Sequence, residues 1–320
     1  MNKIATFAAA ATFVCTASLA GAQDYPTGPI HLVSGFPPGT TADISARVVS
    51  NKMGQILGQQ FVVENKGGAS SSIAAAYVAR APKDGYTLFI SSAANMINAA
   101  MSSTLNFDIM KDFEPIALIT STPTVLVVTP ELGVKSVKEL IALAKAKPGT
   151  ISFGSSGVGS STHLALELFK SLAQVDITHI PYSGSPQVVT DLLANRIQGY
   201  FSPASTVSGH VGAGKLVALA VTDPKRSKFF PDLPTMIEAG VPGCVSVLWF
   251  GISAPTGTPQ PIIDRLAKAA NEAAKSDEVV KALQGQTVEA LGGTPAEFHK
   301  FMEEEQKRWN GVVEHAHLRK

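Results

Sequence analysis

Short β-branched or aromatic runs alternate with helical patterns along most of this chain, and few folds accommodate that alternation. A strand that returns beside its predecessor through a helix builds α/β units. Runs at 30–34, 60–64, 87–91, 150–154, 176–180, 197–202 and 216–222 read as strands. Segments 43–57, 72–81, 137–146, 162–172 and 186–194 read as helices, because Ile44, Val48, Met53 and Leu57, or Leu164, Leu168 and Leu172, recur at helical spacing. Those stripes face a core. Largely parallel sheets are expected.

Two apolar runs break the rhythm: 116–129, interrupted by Ser121-Thr122-Pro123, and 245–254. Read as antiparallel crossovers, they make one domain from 23–122 plus 248–320 and a second from 123–247. Helices at 259–275 and 295–314 then pack back on the first domain. About 300 mature residues are enough for two buried cores. The mature chain keeps one cysteine, Cys244, so no internal disulfide staples it.

The N-terminus pairs one lysine, Lys3, with an apolar stretch from 4 to 20 and then Ala20-Gly21-Ala22. Small residues at that spacing match a signal-peptidase site, so residues 1–22 read as an export signal cleaved near Ala22 and the protein is expected in the periplasm. A membrane-spanning helix is the alternative; the short core, the alanine and threonine content and the turn at Asp24-Tyr25-Pro26 count against it. Val14 precedes Cys15 where a lipidated cysteine usually follows a small residue, so no lipid anchor is expected. Removing that segment leaves 26 − 1 = 25 basic against 25 acidic residues. Nothing basic steers nucleic acid or membranes.

The loop Phe36-Pro37-Pro38-Gly39-Thr40-Thr41-Ala42-Asp43 follows a strand and precedes a helix. Its prolines hold the chain extended, Gly39 permits the turn, and Thr40 or Thr41 can cap the helix. Free N–H groups of that first turn then favour an anion without a lysine. Residues 153–163 repeat the strand-to-helix arrangement, with Gly157 for close backbone approach and five hydroxyls on Ser155, Ser156, Ser160, Ser161 and Thr162. It is neither a dinucleotide fingerprint, since Thr162 replaces the third glycine, nor a P-loop, since no Gly-Lys-Ser/Thr follows. The segment 209–216 resembles a P-loop by chance, because it leads into a strand. Ser91-Ser92-Ala93-Ala94-Asn95 and Tyr182-Ser183-Gly184-Ser185-Pro186 lie at further strand ends, where ligands of open α/β sheets collect. Asn65-Lys66-Gly67-Gly68-Ala69-Ser70 ranks lower, as a turn. Loops from both domains thus suggest one cleft.

Catalytic patterns are weak. The nucleophile signature Gly-x-Ser-x-Gly does not occur, and His163, just before Leu164, Leu166 and Leu168, reads as a structural donor. Neither His-Glu-x-x-His nor paired cysteines occur, so no metal or cofactor is expected. Asp43 and Arg47, four apart, read as an ion pair.

The chain also resembles the extracytoplasmic solute receptors of the tripartite tricarboxylate transporter group, over essentially its mature length. The matching stretches are Phe36-Pro-Pro-Gly with Asp43 and Ala46-Arg47, Glu64-Asn-Lys-Gly-Gly-Ala69, Lys83-Asp-Gly-Tyr-Thr-Leu88, Gly154-Ser-Ser-Gly-Val-Gly-Ser160 with His163-Leu164, Pro181-Tyr182, Pro234-Thr235 with Glu238-Ala-Gly240, and Ala254-Pro255 with Gly257-Thr-Pro259. The resemblance implies a type II periplasmic-binding-protein fold: two α/β domains, two crossover strands, and a ligand cleft closed by a hinge. It implies a non-enzymatic receptor for a small carboxylated solute that docks on the membrane subunits of such a transporter; a monomer is expected. Phe36 and Tyr182 would wall the pocket; Thr40, Thr41, Ser91, Ser92, Asn95, Ser155, Ser156, Ser160, Ser161 and Thr162 would donate hydrogen bonds. Thr40 stands where the family often has a second glycine, and Ser70 to Ser72 replace further glycines. Two alternatives are a periplasmic serine hydrolase using the 155–161 loop and a ligand-sensing partner of a membrane sensor.

Overall fold

The computed structural model describes residues 25–102 and 104–315. The export segment lies outside the described residues. The chain starts with β1 (Ile30–Ser34), α1 (Thr41–Leu57) and β2 (Phe61–Asn65), then a single 3-10 turn at Ala69–Ser71 and α2 (Ser72–Val78). β3 (Thr87–Ser92) runs straight into α3 (Ala93–Met101), and β4 (Phe113–Thr122) is separated from β5 (Thr124–Val128) by Pro123 alone. There follow α4 (Val137–Ala146), β6 (Ser152–Ser155), α5 (Ser161–Ala173), β7 (Thr178–Pro181), α6 (Ser185–Leu193), β8 (Gly199–Pro203), α7 (Ala204–Gly212) and β9 (Val217–Val221). β10 (Leu248–Pro255) leads to α8 (Gln260–Lys275), α9 (Asp277–Gln284), β11 (Glu289–Ala290) and α10 (Pro295–His315).

Two sheets result, with strand orders β11-β4-β10-β3-β1-β2 and β7-β6-β8-β5-β9. The expectation of largely parallel sheets is corrected here, because both are mixed. β1 pairs in parallel with β2 and β3, and β6 with β7 and β8. β10, however, runs antiparallel between β3 and β4, and β5 antiparallel between β8 and β9. The cause is the break at Pro123. Proline has no N–H for a ladder, so the long apolar run divides there: β4 joins the first sheet between β10 and β11, and β5 joins the second between β8 and β9.

Each sheet is covered on both faces, as its alternation dictates. In β5, Val125 and Val127 enter one cluster with Val188 and Tyr200, whereas Leu126 and Val128 enter another with Phe153 and Phe169. In the first lobe Leu32, Ile90 and Ile252 pack under α1 and α8, and Val33, Phe89 and Trp249 under α3 and α10. Gly251 is required in β10, because a Cβ there would lie 2.1 Å from Cζ of Phe298. The buried Trp249 donates its indole N–H to Oε2 of Glu305 at 2.8 Å, which anchors α10. Leu164 of α5 is buried in this same first-lobe cluster, so the lobes touch beside the cleft. Among the described residues no helix is long and apolar enough to cross a membrane.

Candidate ligand-binding site

A cavity of about 480 Å³ opens where loops of both lobes converge. The first turns of α1, α3, α5, α6 and α7 all contribute lining residues, Thr41, Ala94, Thr162, Ser185 and Thr206 among them. Among the described residues no lysine, arginine, histidine, aspartate or glutamate lines it.

The β1–α1 loop is fixed by a polar hub beneath it. Gly39, at φ +76°, donates its N–H to Oδ2 of Asp43 at 3.0 Å. Oδ1 of Asp43 accepts from Nε of Arg47 at 3.0 Å and from Nδ2 of Asn65 at 2.9 Å, and that amide also reaches the Phe36 carbonyl at 2.9 Å. Burial alone would raise the Asp43 pKa, but hydrogen bonds from Arg47, Gly39 and Asn65 outweigh it and hold the carboxyl below its ordinary value. Asp43 is therefore anionic and fully engaged, and the ion pair expected from its spacing to Arg47 is present. Thr40 sits at the N-cap but donates its hydroxyl to the Pro37 carbonyl at 2.8 Å. Thr41 shares a 2.7 Å hydrogen bond with Ser205 of the other lobe.

The β6–α5 loop faces it. Ser160 caps α5 by accepting the His163 N–H at 3.2 Å, and Oγ1 of Thr162 accepts the Ser156 N–H at 2.9 Å. Among the described residues the N–H groups of Thr41, Ala42 and Asp43 at the start of α1, and of Ser161 and Thr162 at the start of α5, have no protein acceptor, which leaves free donors at each helix start. Tyr182 donates its hydroxyl to Oδ2 of Asp191 at 2.9 Å and so offers its ring to the cavity. Burial and that carboxylate push the phenol up to about 12.

Of the side chains expected at the site, Phe36, Gly39, Thr40, Thr41, Ala42, Ser156, Gly157, Ser160, Ser161, Thr162 and Tyr182 line the cavity. Six do not. Pro38 is exposed to solvent, while Asp43 is turned to Arg47 and Asn65. β3 enters α3 without a loop, so its polar residues face inward: Ser91 shares a 2.6 Å bond with Ser253 of β10, and Ser92 donates N–H and hydroxyl to Oδ1 of Asn95. Ala94 is the residue of that segment that reaches the cavity.

Ser155 also turns away, its Oγ 2.6 Å from Nε2 of His179. Burial lowers the His179 pKa, and its ring stacks on His163 at 4.2 Å. A serine–histidine pair thus exists, though not with His163, and its serine is fully buried behind the lining. His163, Glu167 and His179 bring ligand-type atoms within 4.8 Å, but Lys170 already places its ammonium 3.0 Å from the Glu167 carboxylate.

Three groups were missed. Gly67, Gly68, Ala69 and Ser70, read as a turn, line the cavity, with Ala69, Ser70 and Ser71 in the left-handed region at φ 45°, 48° and 75°. Pro203 ends β8 and Thr206 lies in the first turn of α7, a helix without an apolar stripe. Leu248 and Phe250 form the floor from β10. Only the Gly-Gly-Ala-Ser pattern carried a signal.

A family model described as "Tripartite tricarboxylate transporter family receptor" matches residues 45–318. The chain is 36% identical to Protein BugT of Bordetella pertussis, covering 98% of each. Among solved structures it is similar to R. palustris Rpa4515 with adipate (37% identity, TM-score 0.86, 92% of this chain and 98% of that one). It is also similar to the periplasmic binding protein BugD (29%, 0.85, 92% and 99%) and to MatC from Rhodopseudomonas palustris with bound malate (28%, 0.84, 90% and 100%).

Proposed function

This chain belongs to the tripartite tricarboxylate transporter family of receptors, which are periplasmic solute-binding proteins and not enzymes, and from that premise we propose that it captures a small organic acid for delivery to the membrane subunits of such a transporter. One observation carries the reading: a cavity lined by the first turns of five helices, from both lobes, with no charged side chain among the described residues. Helix N-termini present partial positive charge and free N–H groups, so the site suits an anion. One terminus contributes at most about 2 kcal/mol, whereas micromolar binding needs about 8. Several loops closing on one ligand make up the difference.

In this reading the lobes are 23–122 with 248–320 and 123–247. They hinge at the crossovers near Pro123 and Leu248, and the receptor works as a monomer after cleavage near Ala22. Relatives with adipate and with malate support a carboxylate. Calorimetry and thermal melting against carboxylic acids, with their neutral amides as controls, test it. An acid at a hundred times its Kd adds about 2.7 kcal/mol of stability, and the amides add nothing. Flat responses to every acid overturn the reading.

A further inference from the structure

Resting on the proposed capture of an organic acid, we infer that the substrate is an acid with an unsubstituted hydrocarbon body, aryl or methylene chain, and not a hydroxy-acid or a tricarboxylate. The cavity is chemically divided. Its free donors stand at helix starts: N–H groups at the starts of α1, α5, α6 and α7 and the hydroxyls of Ser161 and Thr206. Its floor is Leu248 and Phe250, and Phe36 packs edge to face on Phe250 with ring centroids 6.0 Å apart. Val158 and the Tyr182 ring come from the second lobe, the tyrosine hydroxyl being committed to Asp191.

Hydroxyls along the first-lobe side already have protein partners. Thr40 donates to Pro37, Ser70 donates to the Val158 carbonyl at 3.0 Å, and Thr41 is engaged with Ser205. A carboxylate at a helix start is matched by N–H groups; a further carboxylate or hydroxyl against Phe36, Leu248 and Phe250 would lose its water without replacement. A hydrocarbon body gains there instead, because each buried methylene is favourable. The specificity residues are therefore Leu248 and Phe250 on the crossover strand and Phe36 on the β1–α1 loop.

Calorimetry with carbon-matched acids tests this. Adipate against citrate and succinate against malate hold carbon number fixed, and phenylacetate supplies an aryl body. Adipate or phenylacetate is expected to bind at least tenfold tighter than citrate and malate, with about a fourfold gain per methylene from succinate to adipate. Phe250→Ser is expected to weaken adipate or phenylacetate about tenfold and to flatten the chain-length series while malate changes little. Phe36→Ser, in a loop and only half-buried, gives the same readout if the β10 variant does not fold. Citrate or malate binding as tightly as its hydrocarbon partner, or an unchanged chain-length series in both variants, overturns this inference and leaves the receptor reading intact. Failure of every acid to bind overturns the receptor reading itself.

Discussion

Thr41 and Ser205 meet hydroxyl to hydroxyl at 2.7 Å, tying the first turn of α1 in one lobe to the first turn of α7 in the other. Ser70 makes a second tie, to the Val158 carbonyl. Thr41, Ser70 and Val158 line the cavity and Ser205 precedes the lining residue Thr206, so these contacts between the lobes belong to the segments that would hold the ligand.

Removing the first tie is expected to favour the open arrangement. A buried hydrogen bond contributes about 0.5–1.5 kcal/mol net, so Thr41→Val, which keeps the side-chain shape, should weaken acid binding roughly two- to tenfold. Calorimetry measures that loss. Small-angle scattering of the ligand-free variant should show a larger radius of gyration than the unmodified protein; an unchanged affinity would mean that the tie plays no part in closure.

Asp43 holds the β1–α1 loop through Gly39, Arg47 and Asn65. Its lowered folded-state pKa gives a definite sign: the stabilisation is complete above the unfolded value near 4 and disappears as pH falls through the folded value. Asp43→Ala should cost on the order of 2 kcal/mol at pH 7 and should flatten the acid limb of the stability curve. Urea melts from pH 3 to 7 on both proteins test both statements.

Asp223 has the opposite sign. It lies beside the crossovers, where Thr222 donates its N–H to Thr124 and Ser246 donates its own to Thr222. Oδ2 of Asp223 is enclosed without a hydrogen-bond partner, and burial, with the Glu289 charge adding to it, raises the carboxyl to about 7. The folded protein therefore holds this proton more tightly than the unfolded chain. Stability from this group falls as pH rises from about 4 to about 7, by at most about 4 kcal/mol. Asp223→Asn should be more stable than the parent at pH 8 and nearly equal at pH 4. A parent that gains stability over that window relative to the variant would contradict the assignment.

Much of this architecture was legible from hydrophobic spacing alone. β1 falls at residues 30–34 and α4 at Val137–Ala146, as the pattern predicts, because a short apolar run covered on both faces and an amphipathic helix each leave a distinct pattern. α3 and α7 were not legible. Ala-Ala-Asn-Met-Ile-Asn continues a strand without a turn to announce it, and Ala-Ser-Thr-Val-Ser-Gly is small and weakly patterned. The site divides the same way. Loops rich in glycine and hydroxyls announce themselves, and most of their expected residues line the cavity. Leu248 and Phe250 alternate with buried neighbours in an apolar strand and look like any core positions. Ser91, Ser92 and Asn95 mislead for the converse reason: a polar residue next to a strand end serves a helix cap or a neighbouring strand as readily as a solute.

The absence of ionic side chains from the cavity wall bears on how such a receptor changes its preference. In the proposed reading, attraction for negative charge resides in peptide N–H groups, which side-chain substitutions other than to proline leave in place. Floor and wall residues are free to be exchanged one at a time, with no compensating charge required elsewhere. Descendants of this scaffold can therefore drift from one acid to another while inheriting the anion grip intact, and their diversity should concentrate at the positions of Phe36, Leu248 and Phe250.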